Sequence, residues 1–247
     1  MKENSKEKAV TFQDLKWDTD FFGVTSAKAV LHRALTLSEW DELRNRLRDY
    51  QFISIENRNS EPVNAQLIGK GTTAFLADVN IQFVKKLKFV HEVPRNITIH
   101  QSLEKNNLIT ELADFQFSKF TEDLELAKRG GDQVYRHWII NSFDNPDKFY
   151  ALSRDDNNEI NGFLLHSYDG DTCVIELIAV AQAVTKNGVG TSLFKAVENA
   201  TYLRGFSEIR VGTQVRNMSA INFYHKVGCK QAGCHQVYHY WVENDDG

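Results

Sequence analysis

The sequence predicts an α/β (α+β) chain organised on a mixed sheet, and three observations carry that prediction. Glu176 to Val180 is an apolar, strand-like run, followed after a short loop by Asn187 to Phe194, where a helix starts on two glycines. Ser207 to Thr213 alternates like a strand and leads into a helical pattern from Asn217 to Gly228. From about Asp132 onward, the order is helix, three antiparallel strands, helix, strand, helix and final strands.

Each element has a local reason. Residues 134–140 predict a helix and Lys148 to Ser153 a strand, and the polar run Asp155 to Asn158 marks a turn. Ile160 to Ser167 and Thr172 to Val180 read as strands on either side of Tyr168 to Asp171. A helix from Gly188 to about Arg204 directs Val189, Leu193, Val197 and Ala200 toward the sheet. On the next helix Ala220, Phe223, Tyr224 and Val227 share one face, and Gly228 suits a left-handed stop. The alternating, Tyr-rich stretch from Gln231 to Val242 predicts a closing hairpin.

The two glycines at 188 and 190 matter because a helix begun on bare amides attracts phosphate. The first-turn N–H groups lack intrahelical acceptors, and the helix dipole puts partial positive charge there. No Lys follows either glycine, so the segment is not a Walker A loop. Leu193 stands where a dinucleotide fingerprint needs its third glycine, and Glu208 opens the next strand instead of closing it.

Thr185-Lys186-Asn187-Gly188-Val189-Gly190, following a strand that ends in Val180, resembles the pyrophosphate loop of the GNAT acyltransferase superfamily, with Thr185 where Gln or Arg is usual. Asn217, Ala220, Phe223, Tyr224 and Gly228 resemble the family's second motif, with Cys229 in place of the usual aromatic. The resemblance implies a GNAT acyl-CoA N-acyltransferase fold, a mixed central sheet splayed between two strands. Acetyl-CoA would be the acyl-donor cosubstrate. It would lie along Leu177, Ile178, Ala179 and Val180 like an extra strand, helped by a bulge there. Its phosphates would rest on Thr185, Lys186, Asn187, Gly188, Val189, Gly190 and Thr191. Asn217 would reach the same region, although as a helix N-cap it would look identical. Tyr224 takes the part of general acid: a phenol with an ordinary pKa of about 10 can protonate a thiolate whose conjugate acid titrates near 8.5.

The N-terminal half carries a second likeness. Trp17, Asp18, Asp20, Phe21, Phe22 and Gly23, then Phe75 to Val79, then Phe115 to Asp123 resemble segments of the dTDP-fucosamine acetyltransferases, with Lys119 where Arg is expected. This implies a nucleotide-linked amino sugar as the small-molecule acceptor and, as in those enzymes, a homodimer. The bare pattern of Trp17 to Val24 reads as an aromatic-rich strand and turn. The expected division is an N-terminal α/β half, residues 1–125, packed on an acetyl-CoA-binding catalytic domain, residues 126–247.

A base must also take a proton from the amine. Glu176, beside the expected opening, is the candidate, and His166 on the neighbouring strand is a weaker one. A formal charge of -4 over 247 residues gives no electrostatic footprint for nucleic acid or an anionic membrane. The polar start of the chain and the absence of a long apolar run predict a cytoplasmic protein with no membrane span. Three cysteines give no disulfide framework. Cys229, Cys234, His235 and His239 have the wrong order for a zinc module, and no metal is expected.

Overall fold

The computed structural model describes residues 8–242. In chain order the elements are β1 (Val10–Asp14), α1 (Lys16–Phe22), β2 (Ser26–Leu31), α2 (Leu37–Leu47), β3 (Phe52–Asn57), α3 (Pro62–Gly71), β4 (Phe75–Lys86) and β5 (Ile97–Gln101). Then follow α4 (Asn107–Glu111), α5 (Lys119–Glu122), α6 (Leu124–Lys128), α7 (Val134–Ser142), β6 (Phe149–Arg154), β7 (Ile160–Asp169) and β8 (Thr172–Val180). The last are α8 (Val189–Leu203), β9 (Glu208–Gln214), α9 (Met218–Lys226) and β10 (Lys230–Trp241). The chain forms two compact units that are not contiguous in sequence. One holds residues 8–81, 118–131 and 233–242, and the other Gln82–Phe117 and Asp132–Ala232. Residue 125 falls inside the segment 118–131 of the first unit, and β4 and β10 each run from one unit into the other.

In the first unit the strand order is β1-β2-β3-β10-β4. β1 and β2 are antiparallel, β2 and β3 parallel, and β3 and β10 antiparallel, so this half of the sheet is mixed. One face is apolar. Ala27, Ala29, Leu31, Ile53 and Ile55 pack there with Trp40, Leu43 and Leu47 of α2 and Ile68 of α3. A reciprocal Thr36–Glu39 capping box starts α2. Trp17 to Phe22, expected as strand and turn, is helical. Trp17 stacks on Phe21 one turn later, with ring centroids 4.7 Å apart, and Gly23 ends the helix at φ 69°.

In the second unit the order is β4-β9-β8-β7-β6-β5. β6, β7 and β8 form the antiparallel meander expected from the turns, while β8 and β9 run parallel. Helix α8 buries Leu193, Phe194 and Val197, and Gly162 of β7 lets it approach closely: a Cβ there would stand 3.1 Å from Val189 and 3.2 Å from Leu193. The closing hairpin is not formed. Lys230 to Trp241 is one strand, since the chain stays extended through Gly233 where a hairpin needs a turn. Among the described residues, no helix is long and apolar enough to cross a membrane.

Candidate active site

The two parallel strands at the centre of the second unit separate. Pairing of β8 with β9 runs from Thr172↔Glu208 to Ile175↔Val211 and is not recorded further on, although β8 continues to Val180 and β9 to Gln214. The parting begins at an irregularity. On the β7 side the register passes from His166↔Ile175 to Leu165↔Leu177, so Glu176 is the extra residue of a bulge. Beyond it, Ala181 N–H donates to the Asn161 carbonyl at 2.9 Å. Successive residues of a strand turn their amides to opposite sides. Ile178 and Val180 therefore direct N–H and C=O away from β7, into the opening, where an extended ligand can take the place of the missing strand.

At the end of β8 the chain makes the expected turn into α8. Lys186 and Gly188 both have positive φ, 72° and 87°, and Gly188 serves as N-cap without a side chain. The first intrahelical bond is Ser192 N–H to the Gly188 carbonyl at 2.9 Å, which leaves the amides of residues 189–191 without helical acceptors. A Cβ at Gly188 would meet nothing within 4 Å, and one at Gly190 would stand 3.4 Å from the Phe223 ring. Both glycines thus keep the approach to the amides clear.

A cleft of about 410 Å³ joins these features. Of the residues singled out in the sequence, Ile178, Ala179, Val180, Thr185, Lys186, Gly188, Gly190, Thr191, Asn217 and Tyr224 line it. Leu177, Asn187 and Val189 do not. Leu177 turns into the core beside Phe163 and Leu165, because its side chain lies on the buried face of β8. Asn217 also caps α9, its Oδ1 accepting from Ala220 N–H at 3.0 Å. The sequence reading missed Ser219, Asn222 and Lys226. These three line the cleft from a second face of α9, at a spacing of three and four residues that the apolar stripe had obscured. Lys186 and Lys226 place two ammonium groups on a cleft whose floor is bare amides, which suits an anionic ligand.

Tyr224 stands at the inner wall. It is 4% exposed, its ring packs 5.4 Å from both Phe83 and Phe223, and burial raises its phenol pKa. Such a phenol stays protonated throughout the neutral range. The two candidate bases lie elsewhere. Glu176 is not among the cleft-lining residues. Its carboxylate accepts from Lys148 Nζ at 2.5 Å, Ser167 Oγ at 2.6 Å and Trp138 Nε1 at 3.1 Å. His166 is fully buried against Phe149, and burial lowers its pKa to about 3. It is a neutral core residue, not a group facing the cleft.

Three of the four potential metal ligands have other neighbours within hydrogen-bond distance. Cys234 Sγ lies 3.2 Å from Ser60 Oγ, His235 Nδ1 accepts from Asn59 N–H at 3.1 Å, and His239 Nδ1 is 2.7 Å from Asp123 Oδ2. Among the described residues, no group of three or more His, Cys, Asp or Glu is arranged to hold a metal ion.

Comparison with known proteins agrees with this geometry. Residues 109–229 match the model of the acetyltransferase (GNAT) family. The GCN5-related N-acetyltransferase from Sphaerobacter thermophilus superposes with a TM-score of 0.62 at 14% identity, covering 96% of this chain and 78% of that one. Among curated proteins, the spore coat polysaccharide biosynthesis protein SpsD of Bacillus subtilis (strain 168) is 23% identical over 135 residues, 54% of this chain and 46% of that protein. The uncharacterized protein YxbD of the same strain is 32% identical over 79 residues, 32% of this chain and 48% of that protein. The chain spans about half the length of the curated relatives it matches. Its fold is the GNAT fold.

Proposed function

We propose, from a chain whose residues 109–229 match the GNAT acetyltransferase family model, that the protein transfers acetyl from acetyl-CoA to a small-molecule amine. The acceptor we propose is a nucleotide-linked amino sugar of the dTDP-4-amino-4,6-dideoxygalactose kind. One observation carries the transfer: bare helix amides, the unpaired edge of β8 and a protonated phenol share one cleft. The amino sugar rests on the three N-terminal segments singled out in the sequence, and the name of the polysaccharide biosynthesis relative is in keeping with it.

The residues present fit acetyl-CoA. The cleft's volume is within the usual range of ligand sites, roughly 300–1,000 Å³. The amides of residues 189–191, with Lys186 and Lys226, would hold the diphosphate. The outward N–H and C=O groups of Ile178 and Val180 would pair with the pantetheine arm. What the cosubstrate supplies is a thioester, an activated acyl group. An N–H near Val180 would then stabilise negative charge gathering on the carbonyl oxygen, a contribution typically worth about 100- to 1000-fold in rate. Tyr224 would give its proton to the departing sulfur. Transfer is direct, with no group of the chain acylated.

Glu176 would have to take up a proton while three donors hold its carboxylate, and it is better suited to fixing the bulge that opens the strands. Cys173, Cys229 and Cys234 are free thiols, in keeping with a reducing cytoplasmic setting. We also expect two copies to associate, the commonest symmetric assembly. The test is thiol release from acetyl-CoA with a panel of dTDP-linked 4-amino-6-deoxyhexoses. Turnover with a member of the panel is the expected result. Tight acetyl-CoA binding with no turnover on any amine would instead make the protein an acyl-CoA-binding module.

A further inference from the structure

The fork between β8 and β9 has two sides, and the cleft occupies one of them. On β7, Gly162 faces Val189 and Leu193 of α8, whereas Phe163 and Leu165 pack with Ile139 of α7. Odd and even residues of a strand point to opposite faces, so α7 and α8 cover opposite sides of the sheet. Helix α9 shares the side of α8, since the Phe223 ring lies 6.1 Å from that of Phe194.

Two side-chain bonds tie α7 to both prongs of the fork. Trp138 Nε1 donates to Glu176 Oε2 of β8 at 3.1 Å, and Gln214 Nε2, at the end of β9, donates to the Tyr135 hydroxyl at 3.4 Å. Glu176 and Gln214 both lie beyond Ile175↔Val211, the last recorded pair of these strands, so α7 spans the opening. Tyr135 and Trp138 stand three residues apart on one helix face, their ring centroids 6.3 Å apart and their planes within 16° of parallel. Phe115 supports Tyr135 from 4.9 Å. A ligand laid along the outward edge of Ile178 and Val180 therefore has α8 and α9 on one side, and this pair of rings on the other.

Trp138 keeps 40% of its surface exposed, and its one polar side-chain atom is held by Glu176. What it offers a ligand is its ring face. The Glu176 carboxylate beside it is already balanced by Lys148, so no unpaired charge competes for that place. A slender aliphatic amine would cover little of the indole, whereas a ring would stack on it.

We propose that Trp138 determines acceptor specificity: the amine that meets the thioester through the fork is carried on a ring, and the flat apolar face of that ring stacks on the indole. This rests on the proposed acetyl transfer, but on no choice of sugar or nucleotide. The probes are coenzyme A and two conjugates of it, the sulfur joined through a methylene to an N-benzyl amide or to an N-methyl amide. Each conjugate brings its own acceptor group to the fork. Calorimetry gives the Kd of all three for the full chain, for Trp138→Phe and for Trp138→Ala.

The benzyl conjugate should bind the parent about tenfold or more tightly than the methyl conjugate. Trp138→Ala should remove most of that preference. Trp138→Phe should keep it, because a ring remains although the N–H to Glu176 is gone. Coenzyme A should bind all three proteins alike. Equal affinity of the two conjugates for the parent overturns the inference, and so does a preference that survives in Trp138→Ala. A preference lost equally in both variants belongs to the bond with Glu176, and overturns the stacking as well. Each of these results, with coenzyme A still bound, leaves the acetyl transfer standing. If neither coenzyme A nor either conjugate binds the parent, the proposed transfer itself falls, and this inference with it.

Discussion

Replacing Tyr224 by Phe removes one oxygen from the inner wall of the cleft, and the consequence can be worked through. No hydrogen bond to that hydroxyl is recorded among the described residues, and the ring contacts with Phe83 and Phe223 survive the change. Stability should therefore move by less than about 1 kcal/mol. Catalysis should not be spared. Burial raises the phenol pKa, so the phenol holds its proton through neutral pH; the same shift makes it a weaker acid, and its proton moves only as negative charge gathers on the departing sulfur. General acid catalysis of this kind contributes about 100- to 10,000-fold, or roughly 2.7–5.4 kcal/mol of barrier. Steady-state thiol release should show that loss in kcat, while calorimetry shows acetyl-CoA affinity little changed. A kcat within about threefold of the parent enzyme would refute the acid role and return Tyr224 to packing.

Other expectations follow from the same geometry. Gly190→Leu should raise the acetyl-CoA KM by about tenfold or more, because a side chain beside Phe223 and Val180 fills the approach to the amides; an unchanged KM would put the diphosphate elsewhere. Lys85 bonds the Val227 carbonyl at the end of α9 and pairs with the buried carboxylate of Glu198. Lys85→Met should cost about 3–5 kcal/mol in urea unfolding, and adding Glu198→Gln should recover most of it. His166 takes up a proton near pH 6.5 when unfolded but only near 3 when folded. The unfolded state then binds more protons as pH falls below about 6.5, so Tm should decline from pH 7 to 4, and His166→Leu should flatten that decline.

How legible the site was depended on whether its features were local. Gly188, Gly190 and the strand before them could be read because a helix start on bare amides needs only neighbouring residues. The stripe Ala220, Phe223, Tyr224 and Val227 was legible for the same reason, since helical spacing is written in the chain. The partners of Glu176 were not legible because they lie nine, 28 and 38 residues away, at Ser167, Lys148 and Trp138, and nothing in a local pattern announces them. Trp17 to Phe22 was read as strand because aromatic residues favour strands, while Gly23 and the stacking of side chains one turn apart favour a helix.

By itself, the sequence determined the order of helices and strands from residue 132 to the end of α9, the amide cradle at the start of α8 and the motif carrying Tyr224. These rest on periodicity and on backbone conformations that glycine alone permits cheaply. Only the tertiary structure decided that β8 and β9 part after Ile175. It also decided that Glu176 is held by three donors. Which distant groups become neighbours is set by strand order and register, and those are properties of the packed sheet as a whole.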